Sequence, residues 1–456
     1  MLGEKSNGAG LRSQPTPYAA ALAAHRRVNA PLGAAYELTM QLARAIAAVA
    51  PAGSGKLRST FRARHGIRAR YDAWGRESRD DARALVWVHA SSVGEGLQAR
   101  PVLERLRETR PELQLAYTHF SPSALGFARS VGADFADYLP FDTRGDARIA
   151  LDALRPRVLA FSKLDVWPTL VSSARARGVR LALLSATLSA RSTRRSALAR
   201  ALTRDAYAAF DAVGAIDDAD AERLVAIGVR AQAVTITGDT RYDQVWARAG
   251  AIASRESFLR AFRSDRPTLV AGSTWPADER ELLPAWISVR ARVAGVRLII
   301  APHEPTFSHL APIERWARAH GLSLARTSDP ENAASADVVL VDGVGMLGDL
   351  YSLAAIAYVG GGFHGAGLHS VLEPASFGVP VLFGPQHGSS RDASLLISSG
   401  GGMEVATGHA LGERTTEWLT NEAARAAAGA SARALVERGT GASARSVALI
   451  ERLLER

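Results

Sequence analysis

The fold is decided by the stretch Tyr358-Val-Gly-Gly-Gly-Phe-His-Gly-Ala-Gly-Leu-His-Ser-Val-Leu-Glu-Pro-Ala375, which continues to Phe383-Gly-Pro385. It predicts a buried strand over 354–359, a glycine-rich turn, a helix that begins near Ser370 and a second buried strand over 379–383. Glycines let a ligand approach the backbone closely, and a helix N-terminus offers unpaired N–H groups and a partial positive charge. The pattern is therefore typical of an α/β protein that binds a phosphate group.

Two interpretations of the helix start remain open. Glu373 lies one turn inside the predicted helix, where its carboxylate is placed to accept hydrogen bonds from ribose hydroxyl groups. Alternatively, Ser370 and Glu373 form an S-x-x-E capping box, and the glycines serve only the turn. The rest of the chain favours the ligand-binding interpretation.

Length and composition indicate a globular protein of two domains. The chain has 456 residues, of which 47% are hydrophobic and 22% charged. The absence of cysteine excludes disulfides, thiolate metal sites and cysteine nucleophiles. No run of eighteen apolar residues predicts an ordinary membrane-spanning helix, and no secretory signal is recognisable, so we expect a cytoplasmic protein.

The N-terminal region predicts a tail followed by an amphipathic helix. We expect residues 1–35 to form a disordered tail and 36–80 to form the helix and a basic linker. In the helix, one apolar stripe contains Leu38, Leu42, Ile46 and Val49. This pattern suits a helix that lies in a membrane interface, and packing against the protein itself is the alternative.

The positive charge is concentrated just after this helix. The net charge is +10, and between Lys56 and Arg79 eight basic residues stand against two acidic ones. Such a segment is suited to bind nucleic acid or an anionic surface, or it forms a solvated arginine-rich face. Because no nucleic-acid fold signature accompanies it, we expect no nucleic-acid partner.

Strands and helices alternate twice along the chain, which predicts two parallel sheets. The predicted strands cover 85–88, 113–118, 158–161, 180–185 and 212–216, and then 268–271, 296–301, 338–341, 354–359 and 379–383. We therefore expect an α/β fold with Rossmann-like domains over 81–245 and 246–456, the last helix packing back onto the first. His89–Glu95, Lys163–Asp165 and Ser185 follow strands of the first domain and should share one crevice.

The order and spacing of the motifs resemble the 3-deoxy-D-manno-octulosonic acid (Kdo) transferases of lipopolysaccharide synthesis. The resemblance begins near Tyr36 and includes His89–Glu95, Tyr138–Asp142, Asp165–Pro168, Gly238–Asp243, Gly272–Thr274, Gly348–Leu350 and Val359–Pro385. It implies a GT-B fold, in which two Rossmann-like domains face each other across a cleft and the C-terminal one binds the nucleotide sugar. It also implies a membrane-associating N-terminal helix.

The implied reaction is metal-independent, inverting transfer of Kdo from CMP-Kdo to a hydroxyl group of an anionic lipid A precursor, with no cofactor. Such a hydroxyl needs a general base, which the resemblance assigns to Glu95; a first-turn glutamate favoured by the helix dipole is the alternative. Arg241 stands where the family has a lysine that stabilises the transition state. Asp165 preserves an acid of the family, whereas Lys163 replaces a glutamate, and a structural Lys163–Asp165 pair is the alternative.

The resemblance also implies a CMP-binding set in the second domain: Ser273, Pro302, His303, Gly348, Asp349, Leu350, Gly361, Gly362, Ser370, Val371, Leu372 and Glu373. His303 stands where many members have arginine, and Ser370 replaces an asparagine. His364, His369 and His387 are further candidates for a phosphate contact, although such histidines are more often structural. No His/Asp/Glu spacing predicts a metal site.

We expect the protein at the cytoplasmic face of the inner membrane, bound peripherally or monotopically. Two alternatives keep the fold and change the function. One is a UDP-sugar transferase or nucleotide-sugar epimerase, and the other is a non-catalytic membrane-associated sugar-lipid binder.

Overall fold

The computed structural model describes residues 31–46, 56–190, 192–365 and 367–455. Residues 1–30 of the expected tail (1–35) and the end of the first predicted helix, at Val49, lie outside them, whereas residues 31–35 are helical and were wrongly assigned to the tail. Within the described ranges, no helix is both long enough and apolar enough to cross a bilayer.

The described strands and helices alternate along most of the chain. The strands are β1 (Leu85–His89), β2 (Gln114–His119), β3 (Phe135–Tyr138), β4 (Val158–Ser162), β5 (Arg180–Ala186), β6 (Ala212–Ala215), β7 (Val234–Ile236), β8 (Thr268–Thr274), β9 (Arg297–Pro302), β10 (Leu324–Arg326), β11 (Val338–Leu340), β12 (Ile356–Val359), β13 (Val381–Phe383) and β14 (Gly402–Glu404). The helices are α1 (31–46), α2 (Lys56–Arg62), α3 (Ile67–Glu77), α4 (Val93–Thr109), α5 (Leu125–Ser130), α6 (Arg144–Leu154), α7 (Pro168–Ala176), α8 (Ala197–Ala208), α9 (Asp218–Ile227), α10 (Thr240–Gly250), α11 (Glu256–Leu259), α12 (Pro276–Arg292), α13 (Phe307–Ala319), α14 (Leu347–Leu350), α15 (Leu372–Ser376), α16 (Arg391–Ser399), α17 (Gly408–Thr420), α18 (Glu422–Gly439) and α19 (Ala442–Leu454).

The strands form two parallel sheets of seven. Their orders are β3-β2-β1-β4-β5-β6-β7 and β10-β11-β9-β8-β12-β13-β14. The sequence predicted the central strands and missed β3, β7, β10 and β14, which are the four sheet edges. Each sheet has a central reversal of strand order, between β1 and β4 in the first sheet and between β8 and β12 in the second. Ligands of open α/β sheets bind beyond the carboxyl ends of the strands at such reversals.

The chain divides into two compact units. The N-terminal unit runs to Thr237 and resumes at Ala444, and the C-terminal unit comprises Gly238–Ser443. The division therefore falls before Gly238 rather than at 245/246, so that Arg241 belongs to the C-terminal unit. Helix α19 packs on the N-terminal unit, where Val447 and Ile450 join the buried cluster formed by strands β1, β2, β4 and β5.

The basic segment is part of the N-terminal unit, which corrects the expectation of a linker. Tyr71 of α3 is fully buried and donates a hydrogen bond to the carbonyl oxygen of Tyr138 at 2.9 Å. Arg68 and Arg70 form ion pairs with Asp146 and Asp137, both at 2.6 Å. Two of the eight basic side chains of this segment are therefore paired with carboxylates of the same unit.

Helix α1 contacts the N-terminal unit through polar groups and leaves its apolar stripe in solvent. The hydroxyl of Tyr36 donates to Asp142 at 2.8 Å, and Glu37 accepts a hydrogen bond from the backbone N–H of Arg144 at 3.1 Å. Leu38, Leu42 and Ile46 are 71%, 60% and 48% exposed. The alternative that this stripe packs against the protein is therefore wrong for these three residues.

Candidate active site

Glu95 lies where the first sheet reverses its strand order. Strand β1 leads into α4, whose N-cap is Ser92, and Glu95 occupies the first turn. Its Oε2 accepts hydrogen bonds from the backbone N–H of Ser92 at 3.1 Å and from the Ser92 hydroxyl at 3.2 Å. These bonds form a capping box with Ser92, which the sequence reasoning did not predict, and they also fix the carboxylate. Within the described residues no hydrogen bond to Oε1 is formed, so this oxygen is available to a ligand.

The fully buried His89 joins the ends of three neighbouring strands. Its Nδ1 lies 2.9 Å from the hydroxyl of Thr118, and its Nε2 lies 3.5 Å from Asp165 and 3.2 Å from the indole nitrogen of Trp167. Burial alone would raise the pKa of Asp165, but its contacts with His89 and with the guanidinium of Arg194 lower that pKa overall. His89 therefore positions Asp165, and the structure records no contact of its ring with Glu95.

Lys163 is exposed at the end of β4 in a strained conformation. Its φ is 64° and that of Ser185, at the end of the adjacent strand β5, is 46°. Left-handed backbone costs a non-glycine residue about 1–2 kcal/mol and is concentrated at functional sites. The structural Lys163–Asp165 pair, which was the alternative for these residues, does not form: Asp165 contacts His89 and Arg194, and Lys163 has no ion pair within the described residues.

In the C-terminal unit, the buried carboxylate of Asp278 holds the glycine-rich turn. Oδ2 accepts hydrogen bonds from the backbone N–H groups of Trp275 (2.9 Å) and Gly361 (2.8 Å). Oδ1 accepts from the hydroxyl of Tyr358 (2.9 Å) and the N–H of Phe363 (3.1 Å). Gly361 has φ 92°, a conformation that favours glycine. Asp278 therefore couples the start of α12 to the turn after β12.

The sequence reasoning missed Asp278. The available signal was Pro276 followed two residues later by an acid, because proline favours the first position of a helix and an acid favours its first turn. That signal would have identified the residue as a helix cap. Its role in holding the glycine-rich turn depends on hydrogen bonds to residues about eighty positions away.

Three imidazole rings gather around Trp275 at the reversal point of the second sheet. His303 and His364 stack on the indole at centroid distances of 4.5 and 4.4 Å, and His369 lies 4.4 Å from His303. The indole N–H points at Nε2 of His369 at 3.3 Å. Burial and the neighbouring His303 lower the pKa of His369. Ser273, two residues before Trp275 near the end of β8, has a φ of 54°. This edge of the second sheet therefore presents flat, partly exposed rings from three strand ends beside strained backbone.

The predicted site residues after β12 are arranged differently from the expectation. Helix α15 begins at Leu372, spans five residues and has no side-chain cap, so the Ser370–Glu373 capping box is not formed. Val371 and Leu372 are buried in the core, which leaves only their backbone groups for a ligand. Burial raises the pKa of Glu373. His387 is paired with Glu404 at 2.7 Å.

The Gly348–Leu350 motif forms an ion-pair anchor. Asp349 is 3% exposed and pairs with Arg248 at 2.8 Å and Arg255 at 2.9 Å. A side chain at Gly348 would collide with the guanidinium of Arg248, and Leu350 is fully buried. These contacts give Asp349 a structural role. Its negative charge also adds to the effect of burial in raising the pKa of Glu373.

Arg241 and Pro302 complete the predicted set. The guanidinium of Arg241 contacts Asp239 at 2.6 Å and Asp392 at 2.9 Å, while no hydrogen bond of its Nη1 is recorded within the described residues. Pro302 ends β9 beside Thr274, whose carbonyl oxygen accepts the N–H of His303 at 2.8 Å. In the part of the chain that the structure describes, no group of His, Asp or Glu is arranged to hold a metal ion.

Comparison with known proteins identifies relatives of one family. A family profile described as 3-Deoxy-D-manno-octulosonic-acid transferase (kdotransferase) matches residues 61–244. The 3-deoxy-D-manno-octulosonic acid transferase of Bordetella pertussis is 31% identical over 400 residues, which cover 84% of this chain and 90% of the relative. That of Haemophilus influenzae is 26% identical over 404 residues, covering 87% and 93%.

The fold of this chain is similar to that of solved UDP-GlcNAc 2-epimerases. The UDP-GlcNAc 2-epimerase of Neisseria meningitidis superposes with a TM-score of 0.59, covering 82% of this chain and 100% of that one at 13% identity. A putative UDP-N-acetylglucosamine 2-epimerase from Listeria monocytogenes superposes with a TM-score of 0.57, covering 82% of this chain and 97% of that one, also at 13% identity. At such low identity the likeness concerns the fold alone.

Proposed function

Because this chain belongs to the 3-deoxy-D-manno-octulosonic acid (Kdo) transferase family, we propose that it transfers Kdo from CMP-Kdo to a hydroxyl group of a lipid A precursor. Membership makes it a glycosyltransferase of lipopolysaccharide biosynthesis. The nucleotide donor, the lipid acceptor and the residue roles are our proposals. The observation that carries them is the carboxylate of Glu95, fixed through Oε2 at the reversal point of the first sheet with Oε1 left for a ligand.

Glu95 is the proposed general base. The acceptor hydroxyl has a very high pKa, so proton removal must accompany its attack on the anomeric carbon of Kdo. Attack opposite to the leaving CMP inverts the configuration of that carbon. Asp165, positioned by His89, and the exposed amine of Lys163 lie at the end of the adjacent strand β4. We assign them to the hydroxyl and carboxylate groups of the sugar and acceptor.

The proposed CMP site is the edge of the C-terminal unit around the glycine-rich turn. The N–H groups near Ser273 and Gly362 and the rings of Trp275 and His303 suit a phosphate and a flat base, respectively. Glu373 is the proposed ribose contact. The leaving phosphate gains negative charge, and Nη1 of Arg241 offers a donor whose position two carboxylates fix.

The apolar stripe of α1 supports docking to the cytoplasmic face of the inner membrane. Leu38, Leu42 and Ile46 recur once per turn on one side, and the polar contacts of Tyr36 and Glu37 hold the opposite side on the N-terminal unit. This arrangement suits a peripheral protein whose helix lies in the interface. Flotation with vesicles of inner-membrane lipids tests it: the triple serine variant of the stripe should remain with the soluble fraction, and equal flotation of variant and wild type would contradict the proposal.

The test of the reaction is transfer from CMP-Kdo, generated in the assay, to a tetraacylated lipid A precursor, followed by mass spectrometry. Wild type should add the mass of Kdo, and Glu95→Gln should lower the rate about a hundredfold or more. Glu108→Gln, on an exposed part of the same helix, is the matched control and should keep wild-type activity. A folded wild type that adds no Kdo would refute the proposal, and an active Glu95→Gln would refute the assignment of the base.

The fold of the UDP-sugar epimerases motivates a second candidate, a transferase or epimerase for UDP-sugars. The two candidates differ in the nucleotide that stabilises the C-terminal unit. A ligand that binds only the native state raises the melting temperature, so CMP should raise it and UDP should not. The reverse result would favour the UDP-sugar candidate.

A further inference from the structure

A cavity in the N-terminal unit is lined by cations and adjoins the apolar stripe of α1. Its volume is about 560 Å³, and it lies between α1, α2, the start of α3 and the segment around Phe141. Arg44 and Ala45 of α1 form one side. Ala45 lies two turns after Leu38 on the same side of the helix, so the mouth of the cavity meets the edge of the stripe.

Positive charge dominates the walls of this cavity. Arg68 and Asp146 form an ion pair at 2.6 Å, whereas Arg44 approaches the same carboxylate only at 3.8 Å, which is longer than a hydrogen bond. The side chains of Arg44 and Arg68 are 43% and 42% exposed, and that of Asp146 is 3% exposed. One carboxylate therefore serves two arginines, and Arg44 has no hydrogen-bond partner within the described residues.

A third arginine adds uncompensated charge. Arg64 is 5% exposed, and its guanidinium donates to the carbonyl oxygens of Leu139, Thr60 and Phe120 at 2.9, 2.8 and 3.2 Å and lies 4.0 Å above the Phe120 ring. It has no carboxylate partner within the described residues. Its charge is therefore solvated by dipoles and a ring, and it raises the potential of the cavity wall.

We propose that this cavity binds the phosphate group of a phosphorylated lipid whose acyl chains lie along the stripe of Leu38, Leu42 and Ile46. Arginine pairs with phosphate through parallel charge-assisted hydrogen bonds, and Arg44 has donors to offer. The adjoining stripe is what selects a lipid over a free anion. This inference rests on the proposed function, since it places the acidic end of the lipid substrate class beside the same unit that carries Glu95.

Helix α1 also reaches the proposed acceptor edge. The hydroxyl of Tyr36 donates a hydrogen bond to Asp142; burial raises the pKa of Tyr36, and the charges of Asp142 and Asp165 raise it further. The carboxylate of Asp142 in turn accepts the backbone N–H groups of Thr169 and Leu170 at the start of α7. Helix α1 therefore connects the cationic cavity with the segment after β4, where the proposed reaction places the acceptor hydroxyl of the lipid.

The test is a calorimetric titration of the full chain with dihexanoyl phosphatidic acid below its micelle concentration. Inorganic phosphate and dihexanoyl glycerol are titrated separately to distinguish a lipid phosphate from a free anion or an apolar ligand. We expect saturable binding of the phosphatidic acid and at least about tenfold weaker binding of each part. Arg44→Gln should weaken the phosphatidic acid about tenfold, because a charge-assisted pair is lost.

Arg62→Gln is the matched control, since Arg62 is an exposed arginine of the neighbouring helix α2 that does not line the cavity. Equal losses from Arg44→Gln and Arg62→Gln would mean diffuse attraction and would overturn the proposal. Inorganic phosphate that binds as tightly as the lipid, or no saturable lipid binding, would overturn it as well. Circular dichroism checks the fold of both variants. The titration needs no donor and no turnover, so its failure is distinct from a failure of Kdo transfer.

Discussion

Replacing Asp278 by asparagine tests the anchor of the glycine-rich turn. The carboxylate is fully buried and accepts four hydrogen bonds, two at each oxygen. Asparagine has nearly the same shape but only one oxygen, so two of the four donors would face an NH₂ group. The partners of Oδ2 tie α12 to Gly361, and those of Oδ1 tie it to Tyr358 and Phe363.

The magnitude follows from the two lost bonds. A hydrogen bond to a charged group contributes about 1.5–3 kcal/mol, so the loss of two costs about 3 kcal/mol even at the lower value. The cost should fall on the C-terminal unit, because Asp278 and its four partners all lie within it. We also expect weaker stabilisation by CMP, since the turn would no longer be held in place.

Hydrogen exchange and urea unfolding measure this effect. In Asp278→Asn the amides of Gly361 and Phe363 should exchange at least about a hundredfold faster, which corresponds to the expected 3 kcal/mol when exchange reports local opening. Asp265→Asn, an exposed aspartate of the same unit, is the control and should match wild type. If Asp278→Asn unfolds at the wild-type urea concentration with both amides equally protected, the anchoring role is wrong.

Three further substitutions test neighbouring features. Because burial raises the pKa of Glu373, its charged form opposes folding once the pH rises above the unfolded value of 4.5. Glu373→Gln should therefore raise the melting temperature at pH 7.5 and reduce CMP binding; a lower melting temperature would contradict this. Lys163→Gly should stabilise the N-terminal unit by about 1 kcal/mol in urea titrations, because glycine adopts a φ of 64° without strain. The same variant should transfer Kdo more slowly, and an unchanged rate would show that Lys163 has no role in the reaction. Gly362→Ala would collide with the backbone of Gly384 and cost about 3 kcal/mol, whereas Gly365→Ala, with open space around it, should melt like wild type.

The central strands of both sheets were predictable because they are continuous apolar runs. Parallel strands covered on both faces, such as Val86–Val88 and Leu298–Ile300, have no polar side and stand out in the sequence. The edge strands β3, β7, β10 and β14 have three or four residues and include exposed side chains, such as Ile236. Short, half-exposed segments of this kind carry no pattern that distinguishes them from loops.

The positions of the site residues were predictable from the sequence, but their hydrogen-bond and ion-pair partners were not. Glu95, Lys163, Ser273 and Gly361 follow strands in the sequence, and sheet topology brings strand ends to one edge. The partners of these groups come from distant segments. Asp165 pairs with His89 rather than Lys163, because the orientation of a side chain at a strand end depends on the neighbouring strand. Sequence spacing carries no information about such contacts.

The return of α19 to the N-terminal unit has a consequence for synthesis. Val447, Leu449, Ile450 and Leu453 complete a core face whose other members are translated hundreds of residues earlier. A ribosome adds about 5–20 residues per second, so the whole C-terminal unit (Gly238–Ser443) takes roughly 10–40 s to emerge while that face stays uncovered. We therefore expect the nascent N-terminal unit to need chaperones, and a chain that loses its last helix should aggregate during translation even though every proposed catalytic residue is present.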